Sequence, residues 1–242
     1  MKKNISLNYQ FSIFGEFSDI TPENSGITIK LMKKFDGEKF IPNIFQELSM
    51  NTMPPKIDNR ISLINTDGWT ISIGNERIDV SVDYNDDGAY KDMQLDEIEL
   101  KAVKMLESIM EIFGKTCKRI ALNTTELLDD VKSQKIIEKY LSRGRLLNYY
   151  DSNIPYEWNE RYVANVECTD INEKINVITN ITKSQGKLSN NNTGKTIDFD
   201  GIMIQFDINT LPNNVNYRFS HSDIKHFFKK AVLAKKEIEK NI

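Results

Sequence analysis

The chain has 242 residues and a mass of 28.0 kDa, with 39% hydrophobic and 28% charged residues and a mean hydropathy of −0.47. This length suffices for one large domain or two small ones, and the composition excludes an integral membrane protein and a fully disordered chain. The formal net charge of −3 is too small to indicate a class of partner.

The N-terminal segment combines two predicted strands with one short predicted helix. Apolar residues at every second position predict strands over residues 5–13 and 27–31, which are expected to pair. Apolar residues at helical spacing predict a short helix over residues 40–48, where Pro42 suits the first turn.

A three-stranded meander and a long helix are predicted to follow. The meander turns at Asp67-Gly68, a favoured hairpin dipeptide, and its strands are predicted near residues 61–63, 69–73 and 78–84. An apolar stripe from Leu95 to Phe113 predicts the helix, and Gly114 is placed to cap its C-terminus.

The C-terminal half shows a similar order of elements. A short strand is predicted over residues 119–122 and a helix from Leu127 to Tyr140. Three alternating segments then predict strands near residues 162–168, 175–181 and 197–208. The final helix is predicted to open with a capping-box variant, in which Asp223 stands three residues after Ser220.

Both halves thus fit the order strand, helix, three strands, long helix. We predict an α+β fold in which antiparallel sheet is packed against two long helices, with an internal duplication of residues 1–114 in residues 115–242. The two halves are expected to form one joined body. The alternative is that this common order of elements recurs by chance.

The small net charge conceals an asymmetry between these halves. Residues 1–114 carry 12 basic and 19 acidic side chains, a net charge of −7, whereas residues 115–242 carry 20 and 16, a net charge of +4. The near-neutral total thus conceals an acidic half and a basic half, an asymmetry that suits a protein that recognises a protein partner.

Three short segments resemble a sporadically distributed family of uncharacterised bacterial proteins of about this length. These segments are Asp67-Gly68 with its hairpin, the strand Lys118-Arg119-Ile120-Ala121-Leu122, and Phe206-Asp207-Ile208 before the final helix. The similar order of elements covers most of the chain. The resemblance implies no activity, cofactor or site residue.

Cysteine content and the N-terminus indicate the cellular setting. Two cysteines, Cys117 and Cys168, make a disulfide framework implausible and suggest the reducing cytoplasm. The N-terminus lacks the apolar stretch of a signal peptide. Abundant Asn, Ile and Lys suggest an AT-rich genome, and hence a bacterial or mobile-element origin.

An acidic segment, Asp83-Tyr84-Asn85-Asp86-Asp87-Gly88, resembles the opening of a calcium-binding loop. Asp83, Asn85 and Asp87 place oxygen ligands at positions 1, 3 and 5, and Gly88 suits the sharp turn at position 6. Position 12 is Gln94 instead of the usual bidentate Glu. The alternative is a solvated turn whose carboxylates favour the following helix N-terminus.

The final helix carries lysines opposite its apolar stripe, which suggests a phosphate-binding surface. The residues expected to contact nucleic acid are Lys225, Lys229, Lys230 and Lys236. Glu237 and Glu239 are interleaved with these lysines, as on an ordinary solvated helix face. Aromatic residues are not clustered among them, so base stacking is not indicated.

The motifs predict no catalytic residue, cofactor or firm metal site. The segments Gly114-Lys115-Thr116 and Gly194-Lys195-Thr196 lack the upstream glycine of a phosphate-binding loop and precede strands. We expect a non-enzymatic cytoplasmic protein that binds a protein partner, as an accessory, inhibitor or antitoxin-like protein. The alternative is a nucleic-acid-binding accessory protein that uses the basic C-terminal half.

Overall fold

A computed structural model describes residues 5–49, 53–83, 93–142, 149–189 and 196–242. Nine strands in these residues form one sheet. The strands are β1 (Ile5–Phe14), β2 (Ile41–Ser49), β3 (Lys56–Ile64), β4 (Trp69–Ile73), β5 (Arg77–Asp83), β6 (Arg119–Leu127), β7 (Trp158–Cys168), β8 (Glu173–Ser189) and β9 (Thr196–Thr210).

The sheet runs in the order β2-β3-β4-β5-β1-β6-β9-β8-β7, and each neighbouring pair is antiparallel. Strands β1 and β6 lie side by side at its centre and join the two halves of the chain, with Phe11 opposite Leu122. The predicted α+β class with an antiparallel sheet is confirmed.

The helices are α1 (Ser25–Lys34), α2 (Leu95–Phe113), α3 (Asp130–Leu141), α4 (Tyr149–Ser152) and α5 (His221–Lys240). Helices α2 and α5 lie next to each other over the central strands, where Phe11 of β1 meets Phe228 of α5 edge to face at 5.1 Å. A single cluster of buried apolar side chains includes residues of both halves. Among the described helices, none is long and apolar enough to cross a membrane.

The predictions for α1 and β2 are wrong, because the two segments exchange their secondary structure. Residues 27–31 lie in helix α1, which Asn24 caps by accepting a hydrogen bond from the Gly26 amide at 3.1 Å. Residues 41–49 form strand β2 and not a helix. Residues four positions apart, such as Ile27 and Leu31, share a face in both structures, so their spacing did not discriminate.

Strand β6 and helix α3 meet at a different residue from the one predicted. Leu127 ends β6, and Asp129 caps α3 by accepting a hydrogen bond from the Lys132 amide at 2.8 Å. The predicted helix therefore began too early, because Leu127 and Leu128 continue the apolar spacing of α3 although they precede its cap.

Local turn and cap predictions are confirmed where backbone chemistry dictates them. Gly68 turns the Asp67-Gly68 hairpin with φ 89°, and Gly114 ends α2 with φ 60°, both in the left-handed region that favours glycine. At the start of α5, the Asp223 carboxylate accepts a hydrogen bond from the Ser220 amide at 2.8 Å.

Candidate binding surfaces

Strand β2 is an edge strand that pairs only with β3 among the described strands. The root of this hairpin is fixed by Arg60, a fully buried side chain of β3. Its guanidinium donates hydrogen bonds to the backbone carbonyls of Phe17 at 2.7 Å, Gly74 at 2.9 Å and Ile73 at 3.2 Å. These hydrogen bonds anchor the middle of β3 to the neighbouring chain segments.

The hairpin exposes several large apolar side chains on one face. Ile44, Leu48 and Ile57 are 58%, 55% and 61% exposed, and we call these three residues the hairpin patch. Leu48 lies opposite Ile57, while Ile44 lies opposite Ile61, which is buried in the core. The patch thus continues the apolar face of the sheet to its edge, where no described helix covers it.

The sheet face that points away from α2 and α5, the polar face, carries small hydroxyl and amide side chains. Its middle row crosses neighbouring strands through Ser72, Asp79, Ser12, Ala121, Asn209 and Asn176. The next row contains Thr70, Ser81, Gln10, Asn123 and Asp207. The charged residues of these two rows are both Asp, so they offer no cation to a phosphate.

An arginine-aromatic group lies at one end of the polar face. Phe14 of β1 is opposite Arg77 on one side and Arg119 on the other. The two guanidinium carbons lie 5.9 and 4.8 Å from the centre of its ring. Arg77 also pairs with Asp79 at 2.8 Å, so one of the two positive charges is compensated within the sheet.

The predicted nucleic-acid residues lie on the helix layer, where acidic residues of α2 neutralise part of their charge. Lys236 forms an ion pair with Asp96 at 2.6 Å. Burial raises the pKa of Glu99 on α2, and the charges of Lys225, Lys229 and Lys236 act in the opposite direction. Three of the four lysines therefore line the seam between α2 and α5.

Lys230 lies on another side of α5, where its charge acts on the Cys168 thiol. Lys230 is thus turned about 100° around α5 from its neighbour Lys229. Their role in binding nucleic acid stays a prediction.

The calcium prediction falls largely outside the described residues. Asp83 ends β5, where its exposed carboxylate accepts a hydrogen bond from the Asn8 amide at 2.6 Å. Asn85 and Asp87 lie outside the described residues, and Gln94 caps α2. Within the described ranges, no group of three or more His, Cys, Asp or Glu residues is placed to hold a metal ion.

Both cysteine thiols are buried and unpaired by disulfides. Burial raises the pKa of Cys117 to about 12 and also raises the pKa of Cys168. Thiolate is the reactive form of cysteine, so neither side chain is suited to nucleophilic chemistry near neutral pH.

The predicted short helix over residues 40–48 gives no indication of the hairpin patch, because the segment is strand β2. Two apolar segments flank Pro54-Pro55, an arrangement typical of two strands joined by a turn. That signal predicts the hairpin. It does not predict that Ile44 and Leu48 are exposed, because their exposure depends on which part of the sheet the helices cover.

Comparison of the chain with protein-family models, curated proteins and solved structures finds no match. The resemblance to a family of bacterial proteins therefore stays a prediction.

Proposed function

We propose that this chain is a non-enzymatic protein-binding protein that binds an extended segment of a partner along strand β2. The observation that carries the proposal is a nine-residue edge strand with the exposed hairpin patch beside it. Edge strands present unpaired backbone donors and acceptors, which are templates for a further strand. Protein partners use this mode widely.

The chemistry of β2 favours a partner strand with alternating apolar side chains. Ile44 and Leu48 lie on the same face of β2 and are four residues apart, so they would lie opposite two residues that are four positions apart on an added strand. Backbone hydrogen bonds supply the affinity of such a complex, and the apolar contacts supply its register. Glu47 is the one ionisable side chain of β2, so little charge opposes the approach.

The cellular setting of this proposal is the cytoplasm of a bacterium, with an accessory, inhibitor or antitoxin-like role. Two buried, unpaired thiols support a reducing compartment. The Asn-, Ile- and Lys-rich composition supports a bacterial or mobile-element source.

Peptide selection tests the proposed mode directly. Linear peptides are selected from a displayed random library against the full chain, and their Kd is measured by fluorescence anisotropy. Ile44→Lys/Leu48→Lys is expected to weaken binding about tenfold or more, because two ammonium groups replace the apolar contacts. N-methylation of alternate peptide residues is expected to abolish binding, since it removes backbone donors.

A matched variant separates the hairpin patch from apolar surface in general. Leu100→Lys/Val215→Lys makes the same change at residues that are 47% and 69% exposed elsewhere, and it is expected to leave Kd unchanged. Selected peptides that bind the hairpin variant as tightly as the unmodified chain contradict the proposal.

The alternative function is nucleic-acid binding by the basic half. Lys225 and Lys229 are exposed on α5, which favours contact with phosphates over burial in the fold. Gel shifts at increasing salt, with Lys225→Gln/Lys229→Gln/Lys230→Gln/Lys236→Gln as the test variant, distinguish the two functions. Salt-sensitive binding of the unmodified chain that this variant loses supports nucleic acid.

We also propose that the two halves are copies of one β-α-βββ-α unit. From the centre outward, the first half places β1, β5, β4 and β3, and the second places β6, β9, β8 and β7. If β2 is left out, each half has four strands. From the centre of the sheet to its edge, both halves place them in the order first, fourth, third, second. Strand β2 is an addition to the first copy, which supports a function specific to that edge.

A further inference from the structure

A cavity of about 650 Å³ lies between α3, strands β7 and β8, and the end of α5. This volume is within the range of sites that bind small molecules. Helix α3 packs on β9, where the Ser133 hydroxyl accepts a hydrogen bond from the Ile202 amide at 3.3 Å. The space between α3 and α5 over β7 and β8 is consequently left open.

The interior of this cavity is apolar. Its walls include Ile136 of α3, Val177 and Ile181 of β8, and Ile238 of α5. Tyr140 and Trp158 line one side and stack with 4.0 Å between ring centres and 9° between ring planes. Apolar and aromatic walls with few polar groups are typical of sites for apolar ligands.

The charge at the cavity is concentrated on α3. Lys135 and Lys139 are one helical turn apart, are exposed, and line the cavity. Neither forms an ion pair with a carboxylate of the described residues. Glu160, the one acidic side chain of the lining, accepts a hydrogen bond from the Tyr162 hydroxyl. Two ammonium groups thus border an apolar interior.

We propose that this cavity binds an amphipathic carboxylate, a fatty-acid anion, whose chain occupies the apolar interior and whose carboxylate contacts Lys135 and Lys139. Burial of the chain supplies most of the affinity, and the two ammonium groups favour the anion over an uncharged analogue. The inference is independent of the proposed protein-binding function, because β7 and β2 are opposite edges of the sheet.

Dodecanoate and dodecanol are suitable probes, since they share a chain and differ in head-group charge. The chain has two tryptophans. Trp158 lines the cavity, whereas Trp69 is buried in the first half, so a change in tryptophan emission on adding the probe reports a ligand near Trp158. Calorimetric titration of the full chain gives Kd. Saturable binding of dodecanoate, at least fivefold tighter than that of dodecanol, is expected.

Two variants and one control make the site assignment specific. Lys135→Gln/Lys139→Gln is expected to weaken dodecanoate binding about fivefold and to leave dodecanol binding unchanged, because only the carboxylate loses a partner. Ala164→Trp, at an exposed lining residue, is expected to abolish both by filling the cavity. Lys225→Gln/Lys229→Gln removes the same charge elsewhere and is expected to change neither.

The proposal is overturned by any of three results. These are the absence of saturable dodecanoate binding, binding that Ala164→Trp leaves unchanged, and equal binding of the two probes. Circular dichroism and thermal unfolding of each variant verify that a loss of binding does not reflect a loss of fold.

Discussion

Lys235 is fully buried although it carries a charge. Its ammonium lies 2.6 Å from Oε1 of Glu126 and also contacts Glu239, and the Tyr9 hydroxyl donates to Glu126 at 3.0 Å. A buried ammonium is stable only where carboxylates replace its water shell. This cluster therefore ties α5 to the two central strands.

Removal of one member of this cluster is expected to destabilise the fold strongly. Glu126→Ala is expected to lower the free energy of unfolding by about 3 kcal/mol, because Lys235 loses its closest counter-charge. Urea denaturation measures the change. Glu126→Leu/Lys235→Met, which removes both charges, is expected to be more stable than the single variant, and a single variant with near-normal stability contradicts the argument.

Asp79 on the polar face gives the fold a defined pH dependence. Burial raises its pKa above the ordinary 3.8, although the Ser12 hydroxyl at 2.6 Å and Arg77 oppose the shift. A carboxyl with a raised native pKa stabilises the fold in its protonated form. That contribution is fully present below about pH 4 and is lost as the pH rises through the native pKa.

Asp79→Asn removes this titration and isolates its effect. The stability of the unmodified chain relative to the variant is therefore expected to be greater at pH 4 than at pH 7. Urea midpoints at both values measure the difference. A relative stability that is constant or rises with pH shows that Asp79 does not titrate as inferred.

At the scale of elements, the helix ends depend on individual backbone conformations. Gly114 ends α2 in the left-handed region, where a side chain is strained although no atom crowds its position. Gly114→Ala is expected to lower the free energy of unfolding by about 1 kcal/mol in thermal or urea denaturation. Gly37→Ala is the control, since that position is equally uncrowded without a left-handed φ, and equal losses refute the explanation.

The spacing of apolar residues predicts some elements of this fold correctly and others wrongly. The stripe of α2 and the alternation of β4 each fit one period, and both elements are confirmed. The apolar residues of α1 alternate and those of β2 have helical spacing, yet the structure gives each segment the other conformation. Only the exposure of Ile29 and the pairing of Ile44 with Ile61 separate the two possibilities, and both are properties of the packed molecule.

At the scale of the whole molecule, one core and one sheet join the two halves. The contacts of β1 with β6 and of α2 with α5 cross the boundary, so neither half retains its packing alone. Calorimetry is therefore expected to show one transition with equal calorimetric and van't Hoff enthalpies. Two resolved transitions contradict this expectation and indicate independently folding halves.

The charge asymmetry of the halves also has an internal consequence. Lys236 of the basic half pairs with Asp96 of the acidic half at 2.6 Å, and Lys115 pairs with Asp19 at the same distance. Two ion pairs at the surface thus cross the boundary between the halves. Part of the charge of each half is therefore neutralised by the other half and not by an external partner.

Local patterns correctly predict the Asp67-Gly68 turn and the caps at Gly114 and Ser220, because turns and caps depend on neighbouring residues. The α+β class also follows from the sequence, because it depends only on the overall mix of helical and strand patterns. Packing between distant residues leaves β2 as an exposed edge strand, brings Lys236 of α5 to Asp96 of α2, and opens a cavity beside α3. These features depend on which surfaces the helices cover, and coverage is set by contacts between residues far apart in the chain.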